Sequence, residues 1–443
     1  MAMVVKNNMS AISTLNTLNK NSSALSKSLE KVSSGMKINS AADDASGYAI
    51  SERMRVQIRS LDQANANTQA GNSMLKVAEG AVSSTVDILK TLKEKVINAA
   101  NDTNTDDDRA TIQKELNQSI DQIDDNANVT YNGKYLVDGS KNTVGKATCT
   151  VMTNQMLNTG TKHDTKLTDM SNANGESLEI LSTDKVSVSY THQGKTYSTV
   201  FEVGQNTSLD TLATNVFNAG SKAGDTGVSF KFTQDTNSII GTAASGATVY
   251  TANGSSAISL QAKKSGISGQ VAGFSIRITD KEGNVKKSAN AALDAFNEQI
   301  KAQNKSEDNA LTFQVGAKAN QSIKVGLGDM RSEALGLKGS DGTKLNISTQ
   351  EKANAAISVL DNAVQKALDQ QTTIGSIESR LSYTSTNLTT ASENVQASES
   401  TIRDADMAKE MTNYTKNNVL LQAAQSMLAQ ANQSSSSVLS LLQ

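Results

Sequence analysis

Proline is missing from all 443 residues, where ordinary usage of about 5% would place about 22. Helices exclude it because it lacks an N–H and clashes with the preceding turn. Turns welcome it, however, and it is missing from the glycine-rich middle as well. The exclusion therefore acts on the whole chain. A polypeptide without X-Pro bonds has no slow cis–trans step, which suits a chain that travels unfolded through a narrow conduit and folds promptly at its destination. Cysteine occurs once, at Cys149, so an intramolecular disulfide framework is excluded; between Thr148 and Thr150 it reads as a small residue of a strand. Hydrophobic residues make up 37% and aromatics 3%, too little for one large compact core, so an elongated shape is expected. No apolar run approaches the roughly 18 residues of a membrane span. The first nine residues lack a basic stretch followed by an apolar core, so no cleavable signal peptide is read there. Basic and acidic residues, 42 against 44, are interspersed for a net charge of -2. That balance excludes a nucleic-acid surface and an anionic-membrane binder.

What is present is concentrated at the two ends. Counting from Leu360 in sevens gives Ala367, Ile374, Leu381, Leu388, Val395 and Ile402, with Ala363, Ile377 and Ala391 on the three-residue offset. A seam held over that many turns is a heptad signal. At 1.5 Å per residue it spans roughly 65 Å and needs a partner along its length. Leu75, Ala78, Val82, Val86, Leu89, Val96 and Ala100 form a second stripe. Val5, Met9, Ile12, Leu18, Leu25, Leu29 and Val32 form a third, and Met407, Met411, Tyr414, Leu421, Leu428 and Leu442 a fourth. Four stripes at the two ends of one chain point to a coiled-coil assembly in which the ends pack on each other and on further copies.

The middle is of another kind. Only five of the 28 glycines and three of the 15 aromatics fall within residues 1–100 and 351–443. Val186, Val188 and Tyr190 alternate with polar residues, Gln193-Gly194 offers a turn, and Tyr197, Thr199, Phe201 and Val203 alternate again, predicting a β-hairpin. Thr207 or Ser208 caps a helix through Leu209, Leu212, Val216 and Phe217, which Gly220 ends. A strand at Val228–Phe232 completes a ββαβ unit. A second round is expected from a strand at Phe274–Ile278, a turn at Gly283-Asn284, a helix through Leu293, Phe296 and Ile300, and a strand at Leu311–Val315. Asn132-Gly133 predicts a further tight hairpin, and Ile323–Leu327 a further strand. The fold class is thus mainly α at the termini, forming a coiled-coil rod with small β-hairpins, and an inserted α+β, β-rich outer domain.

The stretch Ser33-Ser34-Gly35-Met36-Lys37-Ile38-Asn39-Ser40-Ala41-Ala42-Asp43-Asp44-Ala45-Ser46-Gly47 strongly resembles bacterial flagellin. Asn7-Asn8-Met9-Ser10-Ala11, Thr130-Tyr131-Asn132-Gly133, Gly328-Asp329-Met330-Arg331, Ile402–Glu410 and Ser437–Leu442 also look like that family, so the likeness covers about residues 1–140 and 310–443. It implies a secreted structural subunit, exported unfolded, that self-assembles into the flagellar filament. Residues 1–42 with 405–443 would form an inner tube, 43–165 with 306–404 a helical rod, and 166–305 the solvent-facing insert. Ser33, Gly35, Ile38, Asn39, Asp43, Asp44 and Gly47 would belong to the connector between tube and rod, the glycines allowing a bend and the aspartates capping the next helix. Implied partners are further copies of the chain, an export chaperone, and cap and hook–filament junction proteins.

The resemblance also implies a contact face for animal receptors of the Toll-like 5 type, through an arginine with a leucine four residues on. The candidate contact face is Leu89, Thr91, Lys95 and Glu115: in Leu89-Lys90-Thr91-Leu92-Lys93-Glu94-Lys95 the arginine and leucine positions hold Thr91 and Lys95, while Glu115 matches the acidic contact. Losing an arginine and an apolar anchor weakens a hot spot, so weak signalling is expected. Asp102, Asn104, Asp106 and Asp108 alternate as in a calcium loop, but Asp107 stands where glycine is needed and Gln113 where a bidentate glutamate is needed. Thr105 with its three aspartates reads instead as a helix N-terminus from Ala110 to Ile123. His163 and His192 are too far apart for a His-Glu-x-x-His zinc site and read as solvated loop residues. No phosphate loop or nucleophile elbow is present, so no enzyme, cofactor or metal is expected, although Ser/Thr-rich stretches of the insert offer sites for O-linked glycans. The alternatives are a hook-associated junction protein and a surface adhesin using the insert.

Overall fold

The computed structural model describes residues 8–222, 230–234, 238–251, 254 and 257–440. Its helices are α1 (Met9–Ser34), α2 (Ala45–Ala99), α3 (Asp106–Ala127), α4 (Leu209–Lys222), α5 (Lys287–Leu293), α6 (Gln350–Arg403) and α7 (Met407–Ser440). The strands are β1 (Thr130–Tyr131), β2 (Lys134–Tyr135), β3 (Val151–Asn154), β4 (Lys185–His192), β5 (Lys195–Glu202), β6 (Phe230–Gln234), β7 (Ile239–Thr242), β8 (Thr248–Tyr250), β9 (Ile258–Ala262), β10 (Val271–Thr279), β11 (Phe296–Ile300), β12 (Leu311–Gln314) and β13 (Ser322–Val325). They divide into two compact units, one of Met1–Thr68, Gln314–Gln321 and Tyr383–Gln443, the other of Gln69–Phe313 and Ser322–Ser382.

In the first unit, α1 begins where Asn8 Oδ1 accepts a hydrogen bond from the Ala11 N–H, and it ends at Gly35, whose φ of 71° only glycine adopts without strain. It packs antiparallel to α7: Asn8 meets Ala431, Asn21 meets Leu420 and Ser28 meets Asn417. The first part of α2 lies along the end of α6 through an apolar cluster of Leu61, Ala64 and Leu388. Ser385 bonds Asn65, Ser392 bonds Asp62 and Arg55 pairs with Glu399 on the same seam.

The second unit has a helical part and a sheet part. Leu75, Ala78, Val82, Val86, Leu89 and Val96 are all buried on α2, as are Leu116, Ile120 and Ile123 on α3 and Leu360, Ala363, Ala367 and Ile374 on α6. Thr105 and Asp108 close a full capping box at the start of α3, as the sequence predicts. Asn132 and Gly133 both take positive φ, 49° and 73°, which is the twist a two-residue hairpin between β1 and β2 requires.

The sheet part differs from the expected pair of ββαβ units. β10 pairs with β4 and β4 with β5, giving the order β10-β4-β5, while β11, β3, β9 and β6 form a second sheet in that order. Both sheets and α4 close over one core, in which Phe274 meets Phe232 and Phe296 with ring centroids 6.0 and 5.4 Å apart. Phe296 and Ile300 therefore lie in a strand, not in the expected helix. An i, i+4 spacing is shared by one face of a helix and alternate positions of a strand. Asp294 decides between them: its backbone closes α5 on Asn290 and its carboxylate accepts the Ile276 N–H, after which β11 pairs with β3. Helix α4 also runs through Gly220 to Lys222 instead of stopping there; the glycine is needed for close packing, since a β-carbon at 220 would overlap the Tyr190 hydroxyl. His192 is no loop residue; it ends β4, buried, with Nε2 3.1 Å from the Ser268 carbonyl.

Candidate assembly site at the connector and the terminal helices

Two breaks interrupt the long helices of the first unit, at residues 35–44 and 404–406. They are stitched to each other. Met36 forms an isolated antiparallel bridge with Asp404; the Lys37 N–H donates to the Arg403 carbonyl (2.6 Å) and the Ala405 N–H to the Gly35 carbonyl (2.9 Å). Asp43 Oδ2 accepts from the N–H groups of Asn39 and Ser40, and these backbone bonds hold its carboxyl below the usual carboxylate range. Asp44 Oδ1 accepts from the Ser46 and Gly47 N–H groups and so caps α2. Ile38 is buried against Gly47, where an added β-carbon would sit 2.7 Å from its Cδ1. Gly47 is thus a close-approach residue in the first turn of α2 and not part of a bend; of the two glycines it is Gly35, with φ 71°, that turns the chain. Ser33 is exposed at the end of α1.

Arg403 ties the breaks together. Only 5% exposed, it donates to Glu52 Oε1 at 2.7 Å, approaches Met36 Sδ at 3.2 Å, and lies 5.4 Å from the Tyr48 ring centroid. Its hydrogen bond lowers the Glu52 carboxyl below the ordinary range. In the sequence Arg403 is one residue of the family-like stretch Ile402–Glu410, with nothing that marks its role. The heptad count carries the seam to Ile402, which is half-buried, while the next residue takes the inward position. A long charged residue at the last turn gives no sign in the sequence that it will be enclosed.

The stripe residues on α1 and α7 divide into two sets. Leu18, Leu25 and Val32 on α1, and Tyr414, Leu421 and Leu428 on α7, are half-buried along the seam between the helices. Thr14, Asn21, Ser28 and Asn417 share that seam, so it is partly polar. Met9, Ile12, Leu15 and Leu29 are exposed on α1, Met9 by 69%, and Met407, Met411, Val419, Leu420 and Met427 are exposed on α7, Met427 by 62%. Val5 and Leu442 lie outside the described residues. An apolar set of that size left uncovered on a helix pair marks an interaction surface.

On α2, Thr91 is exposed and Lys95 lies 3.1 Å from Glu115 of α3 in an ion pair. Leu89 is a correction: it is fully buried, because its place in the seventh-residue stripe turns it inward, so it is not part of an outward contact face. Of the aspartates spaced like a calcium loop, Asp106 pairs with Arg109 and Asp108 closes the Thr105 cap.

Residues 5–142 match the bacterial flagellin N-terminal helical region and residues 357–442 the bacterial flagellin C-terminal helical region. A flagellin of Clostridium tyrobutyricum is 35% identical over 432 residues, covering 97% of this chain and 99% of that one. A flagellin of Bacillus subtilis is 29% identical, covering 99% and 100% of the two chains. The flagellar filament 33 kDa core protein of Treponema phagedenis is 28% identical with the same coverage. No helix among the described residues is long and apolar enough to cross a membrane. With its helical ends, its β-rich middle and an identity of 35% over nearly its whole length, the chain belongs to the flagellin family and is a structural subunit of the extracellular bacterial flagellar filament.

Proposed function

We propose that the chain leaves the cell unfolded and polymerises through α1 and α7. The observation that carries this is the row of large apolar side chains on the outer faces of that helix pair. Contacts that do not close on themselves extend into a helical polymer, and burying each such side chain contributes about 1.5–3 kcal/mol. A polar seam inside the pair leaves it weakly held until neighbouring subunits cover the outside. Three regions follow in this reading: 1–42 with 405–443 for assembly, a boundary the helix breaks support, 43–165 with 306–404 as the rod, and 166–305 as the solvent-facing insert. Removing residues 1–42 or 405–443 is expected to leave a soluble chain that forms no filaments by electron microscopy. Filaments from either truncation would overturn the mechanism.

The role is structural, not catalytic. Relatives named for the filament favour it over the junction-protein and adhesin readings. Assembly partners are copies of itself, with an export chaperone, the cap and the hook–filament junction proteins acting on the terminal helices. The absence of proline supports unfolded transit; prolines introduced at permissive loop sites, where φ is already near about −65° and the N–H is unpaired, are expected to slow assembly, and unchanged export and assembly rates would count against it. Recognition by receptors of the Toll-like 5 type is weak in this reading, since Thr91 and Lys95 supply neither guanidinium nor apolar anchor and Lys95 occupies Glu115. Full potency in a reporter-cell assay at sub-nanomolar concentration would refute it. O-linked glycans on Ser and Thr of the insert would show as added mass on intact filaments.

A further inference from the structure

We infer that the exposed methionines of α1 and α7, Met9, Met407, Met411 and Met427, are modification sites at which a peroxide blocks the free subunit from joining a filament, an assignment that rests on the assembly role proposed above. The chain has 13 methionines, and the described ones divide by exposure. Met74, Met152, Met170 and Met330 are enclosed in the second unit, and Met36 and Met54 are half-buried. The four helix methionines stand in solvent, between 43% and 69% exposed, and the one other exposed methionine among the described residues is Met156. Exposure decides which thioethers an oxidant reaches. Hydrogen peroxide transfers one oxygen atom: the sulfur lone pair forms an S–O bond, the O–O bond breaks and water leaves, so sulfur is oxidised and peroxide reduced. The product is a polar sulfoxide on the surface that assembly must bury. Covering it with apolar neighbours leaves a strong acceptor unpaired, whereas the thioether packs adaptably there. Ile12, Leu29, Val419 and Leu420 belong to the same exposed apolar set but have no sulfur to oxidise. Sensitivity therefore resides in the four methionines, and only until another copy covers them. Sulfoxide reductases reverse the change.

The test oxidises the full-length, unassembled chain in part with hydrogen peroxide and then induces polymerisation. Filaments are sedimented, and sulfoxide is quantified residue by residue in pellet and supernatant by mass spectrometry. The summed sulfoxide at Met9, Met407, Met411 and Met427 is expected to be at least about tenfold lower in the pellet, with Met156 sulfoxide equal in both fractions. Equal partition at the four helix methionines overturns the proposal. So does equal depletion at Met156, which would mean general damage. A second chain carries Met9→Leu, Met407→Leu, Met411→Leu and Met427→Leu, near-isosteric changes that remove the sulfur. It is expected to form filaments even after exhaustive peroxide treatment, and if it assembles only untreated the proposal also falls. Should it not assemble untreated, the partition experiment on the unsubstituted chain decides alone. Absence of filaments from the unoxidised, unsubstituted chain would instead remove the assembly role beneath it.

Discussion

The paired terminal helices and the sheets of the insert use hydrophobic residues in opposite ways. In the insert, Val186, Val188, Leu209, Leu212, Val216 and Ile278 are all enclosed, and three phenylalanines interlock at the centre. Between α1 and α7 the seam carries Thr14, Asn21, Ser28 and Asn417, while methionines and leucines stand outside. One region completes its own core; the other leaves apolar side chains uncovered, the surface proposed above for assembly. Low aromatic content therefore says little about whether the chain folds. It reflects two packing regimes, and the aromatics are spent on the region that must be stable alone.

The sharpest way to break this contrast is to remove outward residues. Ile12→Ser with Met411→Ser is expected to cost assembly about 3–6 kcal/mol per subunit, raising the critical concentration at least about a hundredfold, with the unfolding midpoint of the isolated chain unchanged. Phe274→Ala should do the reverse: a loss of about 3–5 kcal/mol in the insert, read by thermal denaturation, with filaments still formed. Arg403→Ala removes the link between the two helix breaks. Because Glu52 is partly solvated, the expected cost is about 1–3 kcal/mol, visible as faster amide exchange at residues 36–52, and Arg403→Lys should recover less than half.

The smallest effect is a pH dependence within the insert. Burial pushes the Glu298 carboxyl up from 4.5 to about 7, and its Oε1 is sealed without a hydrogen-bond partner. The folded state then binds this proton more tightly than the unfolded state, so the contribution of Glu298 to stability is full below about 4.5 and is lost as pH rises toward 7. Glu298→Gln is expected to flatten that decline and to stabilise the chain by about 1–2 kcal/mol at pH 8, measured by urea denaturation. An unaltered pH profile would show that the carboxylate is solvated.

Local signals were legible in the sequence where the chemistry is local. Thr105 with Asp108, Asn132-Gly133, and the seventh-residue series through Leu360 each specify a cap, a turn or a helix without help from distant residues. The order β10-β4-β5 is not of that kind, since it pairs residues some 90 positions apart. Phe296 and Ile300 fit two periodicities, and only the Asp294 contact with Ile276 separates them. On α1 the difficulty lies elsewhere. A helix apolar on two sides has no unique inward face, so Met9 and Leu18 were indistinguishable until α7 was in place.

The two breaks beside Arg403 differ in length, ten residues on the N-terminal path (35–44) and three on the C-terminal path (404–406). The longer break is nevertheless not slack: Asp43 and Asp44 brace it from within, and the Lys37–Arg403 and Ala405–Gly35 bonds splice it to the shorter one. In mechanical terms the two breaks form one joint, so a twist applied to α1 or to α7 arrives at the same place.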